Sequence, residues 1–363
     1  MTPREQQIVD LLRHDPLLNA DTIAARIGST RASVNVHLSN LGRKGVIRGR
    51  GYILNERPHV VVLGGAAMDV KARSRAPLVP GTSNPGVASM TPGGVGRNVA
   101  ENLARLGTRT YLVAALGPDE VGDRVVDATR RAGVRVDHIW RTAERTGTYT
   151  AVLDEKGEMV LAVADMEATS DMTPEQVART RDLVAQAGLL VIDSNLSTAT
   201  IRFALDLASS AGVRVVVEPV SVPKARLLAP LIDGSSPVHT ITPNLGELAA
   251  LVDAEVRDDA ELTAAVERLH DRGVDNVWVR LGSRGSLLSS HGEQQRFAAY
   301  PTEVVDVTGA GDSMLAAYCH ALLEGLPLDR CVSYGHAAAA LTVASPQTVR
   351  SDLTDQQLRS MSA

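Results

Sequence analysis

The sequence is poor in cysteine and contains no long apolar run. Cys319 and Cys331 are the only cysteines among 363 residues, which argues against a secreted disulfide framework and a four-ligand zinc site. No stretch approaches the roughly 20 consecutive apolar residues that a membrane span needs. The polar start Met1-Thr2-Pro3-Arg4 has no apolar signal-peptide core. We therefore expect a cytoplasmic protein without a membrane partner.

Two common nucleotide-binding motifs are also absent. No Gly-Lys-Ser or Gly-Lys-Thr triplet occurs, which excludes a Walker A phosphate loop. The glycines between Thr91 and Ala100 are not expected to form a dinucleotide-binding loop, because no apolar run that would predict a buried strand leads directly into them and Val99 stands where the third glycine belongs.

Basic residues are concentrated at the start of the chain. Residues 1–57 hold nine Lys and Arg against five Asp and Glu, a net charge of +4, whereas the rest of the chain carries −9. This asymmetry indicates two different partners. Nucleic acid is the natural partner of the basic segment, because it offers phosphates to be neutralised.

The basic segment has the pattern of three short helices followed by a basic hairpin. Asn19 is a plausible N-cap for the second helix, Gly28 ends that helix, and Ser29 or Thr30 caps the third. Strands around a basic glycine turn follow from residue 45 to residue 54. Ile23, Ala24 and Ile27 are predicted to face inward on the second helix. The apolar residues that the first and third helices carry are Ile8, Leu11, Leu12, Val34, Val36, Leu38 and Leu41.

This order of elements over residues 1–56 is typical of a winged helix-turn-helix domain, whose third helix enters the major groove of DNA. The alternative is a small helical docking or dimerisation module with a solvated basic face. A homodimer is expected for a DNA-binding domain of this kind, because such domains often read two half-sites. The predicted DNA contacts are Thr30, Arg31, Ser33 and Asn35 on the helix, with Arg48 and Arg50 on the wing.

Over residues 58–363, short apolar runs alternate with helical patterns, which predicts a doubly wound α/β sheet. Two stretches, at about residues 70–92 and 147–165, alternate like hairpin strands instead and predict a small β-sheet lid. The runs predicted as buried parallel strands are Val60–Leu63, Tyr111–Ala115, Leu189–Ile192, Val213–Val217, Val238–Ile241 and Val277–Leu281.

The stretch from Asp306 to Ala316 runs from a strand end through glycines into a helix. Backbone N–H groups of Gly309, Ala310, Gly311 and Asp312 would converge at the helix N-terminus, which makes an anion site. A carboxylate there would repel an anion, but it is useful if Asp312 takes a proton from a hydroxyl that attacks a phosphate. The other interpretation is an aspartate that caps the helix.

A second glycine stretch opens the helix that follows Thr91. Gly93 and Gly94 would let a ligand approach the backbone closely. Asn98, one turn into the helix, offers both a donor and an acceptor to sugar hydroxyls.

Together the two glycine stretches resemble the signatures of the ribokinase-like (PfkB-type) carbohydrate kinase superfamily, over about residues 58–350. The resemblance implies a ribokinase-like fold and phosphoryl transfer from ATP with Mg²⁺. It also implies that Asp69 binds ribose hydroxyls and that Glu247 positions the metal. K⁺ near Asp306 and Thr308 is a further implication. The residues implied to bind the nucleotide are Asn244, Arg280, Gly282, Ser283 and Gly285.

Within the superfamily the chain is most similar to pseudouridine kinases. This similarity implies that the 5′-hydroxyl of pseudouridine is phosphorylated, with Asn84, Thr148 and Asp165 as contacts from the lid or rim. Glu218 departs from the subgroup, which usually carries an aspartate there. The similarity is carried by Ser83–Gly86, Thr91–Asn98, Ala164–Met166 and Glu218–Ser221.

Two alternatives stay open on the sequence alone. One is a kinase for another nucleoside or for a ribose-type sugar. The other is a transcription regulator whose kinase-like body only senses a ligand, although the intact glycine turn and Asp312 argue against a retired kinase.

Overall fold

The computed structural model describes residues 1–47 and 58–362. It separates the chain into two units, Met1–Arg57 and Pro58–Ala363. None of the helices in the described residues combines the length and the apolar character that a bilayer crossing requires.

Three capped helices make up the described part of the first unit: α1 (Pro3–His14), α2 (Ala20–Ile27) and α3 (Arg31–Arg43). The caps predicted at Asn19 and Thr30 are confirmed, since each side chain accepts a hydrogen bond from the third backbone N–H of its helix. Gly28 ends α2 in the left-handed conformation at φ 62°, which glycine adopts at no steric cost.

The first unit has its own apolar core, which includes Ile8, Ile23, Val34 and Leu41. Of the four apolar residues on the third helix, Val36 lies outside this core, because its side chain is 59% exposed. Val36 lies two residues after the buried Val34, which places it about 200° around the helix. The predicted wing residues Arg48 and Arg50 lie outside the described residues.

The second unit alternates strands and helices. The strands are β1 (Val60–Leu63), β2 (Ala67–Ser74), β3 (Gly86–Gly93), β4 (Thr110–Leu116), β5 (Arg135–Arg141), β6 (Thr148–Leu153), β7 (Met159–Asp165), β8 (Leu189–Asp193), β9 (Val215–Glu218), β10 (Val238–Ile241), β11 (Val274–Arg280), β12 (Ser286–Ser290) and β13 (Glu293–Phe297). The helices are α4 (Val95–Arg105), α5 (Glu120–Arg131), α6 (Glu167–Ser170), α7 (Pro174–Ala178), α8 (Arg181–Ala185), α9 (Thr198–Ala211), α10 (Val222–Leu228), α11 (Leu245–Val252), α12 (Asp259–Asp271), α13 (Ala310–Leu323), α14 (Leu328–Val343) and α15 (Asp355–Met361).

In the described residues, nine of these strands form one sheet in the order β13-β12-β11-β10-β9-β8-β1-β4-β5. The strands from β11 to β5 pair in parallel, and β12 and β13 add an antiparallel edge. Successive residues of β1 pack into opposite cores, with Val60 and Val62 on one side and Val61 and Leu63 on the other. Both faces are therefore buried, as the apolar runs predicted.

A separate four-stranded sheet, which we call the lid, has the order β3-β2-β6-β7 within the described chain. Asp69 on β2 pairs with Thr91 on β3 and with Tyr149 on β6. Because paired residues share a face and neighbours along a strand alternate, Asp69 and Lys71 lie on one face of the lid.

The parallel strands bring several loops to one edge of the main sheet. β1, β8, β9, β10 and β11 end near one another, because neighbouring parallel strands have their carboxyl ends on the same side. In open α/β sheets, ligands bind in the crevice outside these ends. Several side chains of the candidate site lie at that edge.

Candidate active site

The predicted anion turn leads directly into α13, but the strand end predicted before it is wrong, because residues 298–308 are not in a strand. Gly309 precedes the helix in the left-handed conformation at φ 81°, and a Cβ there would lie 2.0 Å from the backbone oxygen of Thr348. No side chain in the described part of the chain caps α13. Among the described residues, the N–H groups of Gly311 and Asp312 have no hydrogen-bond acceptor, so the turn presents free donors at the positive end of a helix.

Asp312 does not act as a helix cap. Its Oδ2 instead accepts a hydrogen bond of 2.8 Å from Nδ2 of Asn98, which is almost fully buried on α4. Burial raises the pKa of Asp312 to about 7, with a smaller contribution from the charge of Glu218, while the Asn98 bond and Arg280 act in the opposite direction. The carboxyl group can therefore exchange a proton near neutral pH.

Asp69 lies against Gly93, across the β2–β3 pair. A Cβ on Gly93 would come within 2.2 Å of the Asp69 carboxylate, so any other residue at position 93 would displace that carboxylate. Gly94 caps α4 at φ 92°, where a Cβ would lie 2.6 Å from the Gly65 oxygen. Burial raises the pKa of Asp69, while the charges of Lys71 and Arg97 oppose this shift.

Asp193, at the end of β8, is a residue that the sequence analysis missed. It is 1% exposed, and its Oδ2 accepts hydrogen bonds from the backbone N–H groups of Gly65 at 2.8 Å and Gly96 at 2.7 Å. It thereby holds the turn after β1 against the start of α4. A strand-ending aspartate after an apolar run was the available signal.

Asp312 also lines a cavity of about 830 Å³. Its volume falls within the range of small-molecule sites. Gly309 does not line it, whereas Ala310, Gly311 and Asp312 do. All the residues predicted to bind the nucleotide and the metal also line it, namely Asn244, Glu247, Arg280, Gly282, Ser283 and Gly285.

A buried charge cluster forms one wall of the cavity. Arg280 donates to Oε1 of Glu218 at 2.6 Å and lies 3.6 Å from Oε2 of Glu247. A Cβ on Gly311 would lie 2.8 Å from the Arg280 guanidinium, which places this cation beside the anion turn. Burial and the charge of Glu218 raise the pKa of Glu247, and Arg280 opposes them.

Another part of the cavity lining is apolar and was not predicted. It consists of residues from the segment before α13 and from the last turns of α14. Its residues include Tyr300, Val304, Val307, Ala339, Ala340 and Val343.

The residues present fit Mg²⁺ in its usual mode. In the described chain, no group of three or more His, Cys, Asp or Glu side chains could hold a metal by itself. Glu218 and Glu247 nevertheless offer two buried carboxylates to the cavity. Mg²⁺ is commonly held by one or two carboxylates together with substrate phosphates and water.

The residues implied to hold K⁺ are already bound to an ammonium group. Nζ of Lys71 donates to Oδ2 of Asp306 at 2.8 Å and to Oγ1 of Thr308 at 3.1 Å. The expected monovalent cation would have to share these oxygens with a cation of equal charge.

Three residues predicted to bind substrate do not join Asp69. Asn84 bonds within its own loop, to the backbone of Val79 and Thr82. It lines a small pocket at the far end of β2 with Ser74, about 16 Å from Asp69 at 3.3 Å per residue. Thr148 pairs with Met68 and Asp165, so these residues lie on the face opposite to Asp69.

In the first unit, the predicted DNA-contact residues lie at the start of α3. Oγ1 of Thr30 caps the helix, Ser33 is half-buried and Asn35 is exposed. Arg31 is exposed and forms an ion pair of 3.2 Å with Asp21.

Comparison with known proteins identifies the family of the second unit. A model of the pfkB family of carbohydrate kinases matches residues 57–355. The chain belongs to this family. It is therefore a phosphotransferase that acts on an alcohol group of a sugar or nucleoside.

Two similar proteins match most of the chain. An uncharacterized sugar kinase, YeiI, of Escherichia coli (strain K12) is 34% identical and covers 95% of this chain and 94% of its own. A pseudouridine kinase of the same organism is 32% identical and covers 83% of this chain and 95% of its own.

A solved structure confirms the ribokinase-like α/β fold. The structure of Arabidopsis thaliana ribokinase complexed with ribose and ATP superposes with a TM-score of 0.76 at 27% identity, covering 85% of this chain and 99% of that one.

Proposed function

We propose that the second unit transfers the γ-phosphoryl group of ATP to the 5′-hydroxyl of pseudouridine. The observation that carries this proposal is the 2.8 Å hydrogen bond between Asn98 and Asp312, which joins the start of α4 to the anion turn. The pseudouridine kinase relative supports the substrate, and the ribokinase bound to ATP supports the phosphoryl donor.

Asp69 and Asn98 hold the acceptor sugar in this mechanism. Asp69 is fixed against Gly93 and accepts hydrogen bonds from sugar hydroxyls, while Asn98 holds both the sugar and Asp312. Fixing the acceptor in this way makes the reaction effectively unimolecular.

Asp312 acts as the general base. The acceptor oxygen forms a bond to the γ-phosphorus, the bond from that phosphorus to the bridging oxygen breaks, and ADP leaves. The hydroxyl proton passes to the Asp312 carboxylate, whose pKa of about 7 allows it to accept a proton near neutral pH.

The anion turn and Arg280 stabilise the transferring group. The free N–H groups of Gly311 and Asp312 point to the charge that develops on the phosphoryl oxygens. Glu247 and Glu218 would hold Mg²⁺, which neutralises phosphate charge when bound. The apolar wall around Val304 and Ala340 accepts the nucleotide base.

A substrate panel tests this proposal. ADP release is measured with ATP, Mg²⁺ and each of pseudouridine, uridine, inosine, adenosine and ribose, and the phosphorylated position is determined by phosphorus NMR. We expect the highest kcat/KM with pseudouridine and a 5′-phosphate product. A preference for ribose or for another nucleoside would contradict pseudouridine as the substrate. Turnover with none of the five would exclude all of them as acceptors.

We further propose that the first unit binds DNA through α3. The observations that favour this are the Gly28 turn between α2 and α3, the exposed polar side chains of Arg31 and Asn35, and the net charge of +4 over residues 1–57. The family model begins at residue 57, so it does not extend over this unit.

The DNA proposal is tested with the full chain and a selected random-sequence DNA library. We expect Asn35→Ala to weaken binding to the selected site by about 5- to 150-fold, the range for a lost base contact. Gln7→Ala, which removes an exposed amide on α1 without a change of charge, is the matched control and should bind as the wild type does. Absence of any selected sequence would contradict the proposal.

A further inference from the structure

The ammonium group of Lys71, on the lid, contacts the turn that precedes the anion site. Lys71 lies two residues after Asp69 on β2 and thus on the same face of the lid. Its ammonium group bonds to the carboxylate of Asp306 and the hydroxyl of Thr308, with both charged side chains about three-quarters buried, at 27% and 28% exposure.

The oxygens that receive this ammonium belong to a tightly bonded turn. Oδ1 of Asp306 accepts from the backbone N–H of Thr308 at 2.8 Å and from its hydroxyl at 2.6 Å. Thr308 is followed at once by Gly309, where the backbone enters the left-handed conformation that begins α13. The charge on Asp306 is therefore coupled to the shape of the turn that supplies the phosphate-binding N–H groups.

Lys71 and a monovalent metal ion would compete for the same place. Both carry one positive charge, and both bind carboxylate and hydroxyl oxygens. Lys71 already uses Oδ2 of Asp306 and Oγ1 of Thr308, so a second cation there meets like-charge repulsion in a partly buried site. The residues present therefore do not fit K⁺ as a resident ion.

We propose that Lys71 is a positioning residue that takes the place of a monovalent metal ion at the Asp306–Thr308 turn. The same strand then holds the sugar through Asp69 and the anion turn through Lys71. Closure of the lid over an acceptor and the shaping of the phosphate site become one event. This inference rests on the proposed kinase function and deepens it.

The test compares the full-length wild type, Lys71→Met and Lys156→Met. Lys156 lies on the exposed β6–β7 turn of the lid, and its variant controls for the loss of a lid lysine. Turnover and melting temperature are measured in KCl and in tetramethylammonium chloride at equal ionic strength. Equal ionic strength keeps general screening constant.

We expect the wild type and Lys156→Met to differ by less than about twofold between the two salts, with unchanged melting temperatures. Lys71→Met should lose at least about tenfold in kcat without K⁺, the scale of a misplaced catalytic group. K⁺ should restore part of that loss and raise the melting temperature of this variant alone.

Strict dependence of the wild type on K⁺ would overturn the inference, as would full activity of Lys71→Met without K⁺. A loss that K⁺ does not restore would also overturn it, because the lysine would then not be equivalent to an ion. Failure of the kinase proposal is distinguishable, since it would appear as no turnover by the wild type in either salt.

Discussion

The proposed reaction needs the charged carboxylate of Asp312, but the environment of this side chain disfavours the charged form. Burial raises its pKa from 3.8 to about 7, although Asn98 and Arg280 favour the carboxylate. Groups shifted in this way are typical of functional sites, where stability is lost in exchange for reactivity. This has a measurable consequence for folding.

The first prediction concerns the stability of Asp312→Asn as a function of pH. Between about pH 4 and pH 7 the unfolded wild type loses a proton that the folded protein keeps, so wild-type stability falls as the pH rises. The variant lacks this proton. Its melting temperature relative to the wild type should therefore increase from pH 4 to pH 7 and then level off, as measured by calorimetry. A difference that does not change with pH would contradict the assigned pKa.

The second prediction concerns Gly93→Ala. The new Cβ would lie 2.2 Å from the Asp69 carboxylate, so Asp69 must move while the backbone keeps an ordinary conformation. Losing a hydrogen bond to a charged group corresponds to about a 10- to 150-fold rise in KM for the acceptor. Steady-state kinetics checks this, with the KM for ATP as internal control. An unchanged KM for the acceptor would show that Asp69 does not bind the acceptor.

Residue identity alone indicated part of this site. Asp312, Asn98 and Gly93 stood in recognisable glycine stretches, because close backbone approach leaves few residue choices. Asp193 was missed since its role depends on Gly65 and Gly96, which are far from it in sequence. Asn84 was placed at the rim by similarity, yet its amide is used within its own loop. A local pattern such as an aspartate at a strand end does not show which distant residues the side chain contacts.

At the scale of elements, helix caps and strand ends place the charges. Asn244 and Glu247 form a reciprocal capping box at the start of α11, so the Glu247 carboxylate is fixed by the helix that it begins. β9 ends at Glu218 and β11 at Arg280, and these ends meet because the strands are parallel to β10. One edge of the sheet thus carries the whole cluster.

The third prediction is that Glu247→Gln raises the Mg²⁺ concentration needed for half-maximal activity. Glutamine can keep the capping box, so the fold of α11 is preserved while one buried carboxylate charge is lost. Titration of activity with MgCl₂ should show a shift of about tenfold or more, the scale of one lost charged interaction. Glu261→Gln, in the first turn of α12, is the control and should not shift the titration.

The buried strands were largely predictable from the sequence, whereas the edge strand β13 was not. Apolar runs such as Val60–Leu63 predicted the buried parallel strands, because both faces of such strands avoid water. The antiparallel strand β13 was not predicted, since Glu293–Phe297 is polar and mostly exposed. An edge strand of this kind gains its structure from pairing with β12, which hydrophobic periodicity does not report.

At the scale of the molecule, the chain combines two units with separate cores. Ile8, Ile23 and Leu41 form part of one core, and the strands of the main sheet bury two others. The predicted homodimer stays a prediction. On the lid face opposite to Lys71, Met90, Leu161 and Val163 are 44%, 52% and 62% exposed, which is the kind of apolar surface that a second copy could cover.

The fourth prediction is that a chain beginning at Pro58 keeps its kinase activity. The anion turn, the Asn98–Asp312 bond and the cavity all lie within residues 58–363. Its kcat and KM should match those of the full chain within about twofold, since sites that share no partners are nearly additive. A large loss of kcat with an intact fold by circular dichroism would show that the first unit contributes to the reaction.

The proposed mechanism requires that Asp312 takes the proton from the acceptor hydroxyl. Single-turnover measurement of Asp312→Asn with ATP, Mg²⁺ and pseudouridine tests it most directly, with folding and ATP binding verified separately. The rate is expected to be at least about 100-fold below that of the wild type, the usual scale for a removed general base. A folded, ATP-binding variant that turns over at close to the wild-type rate would contradict it.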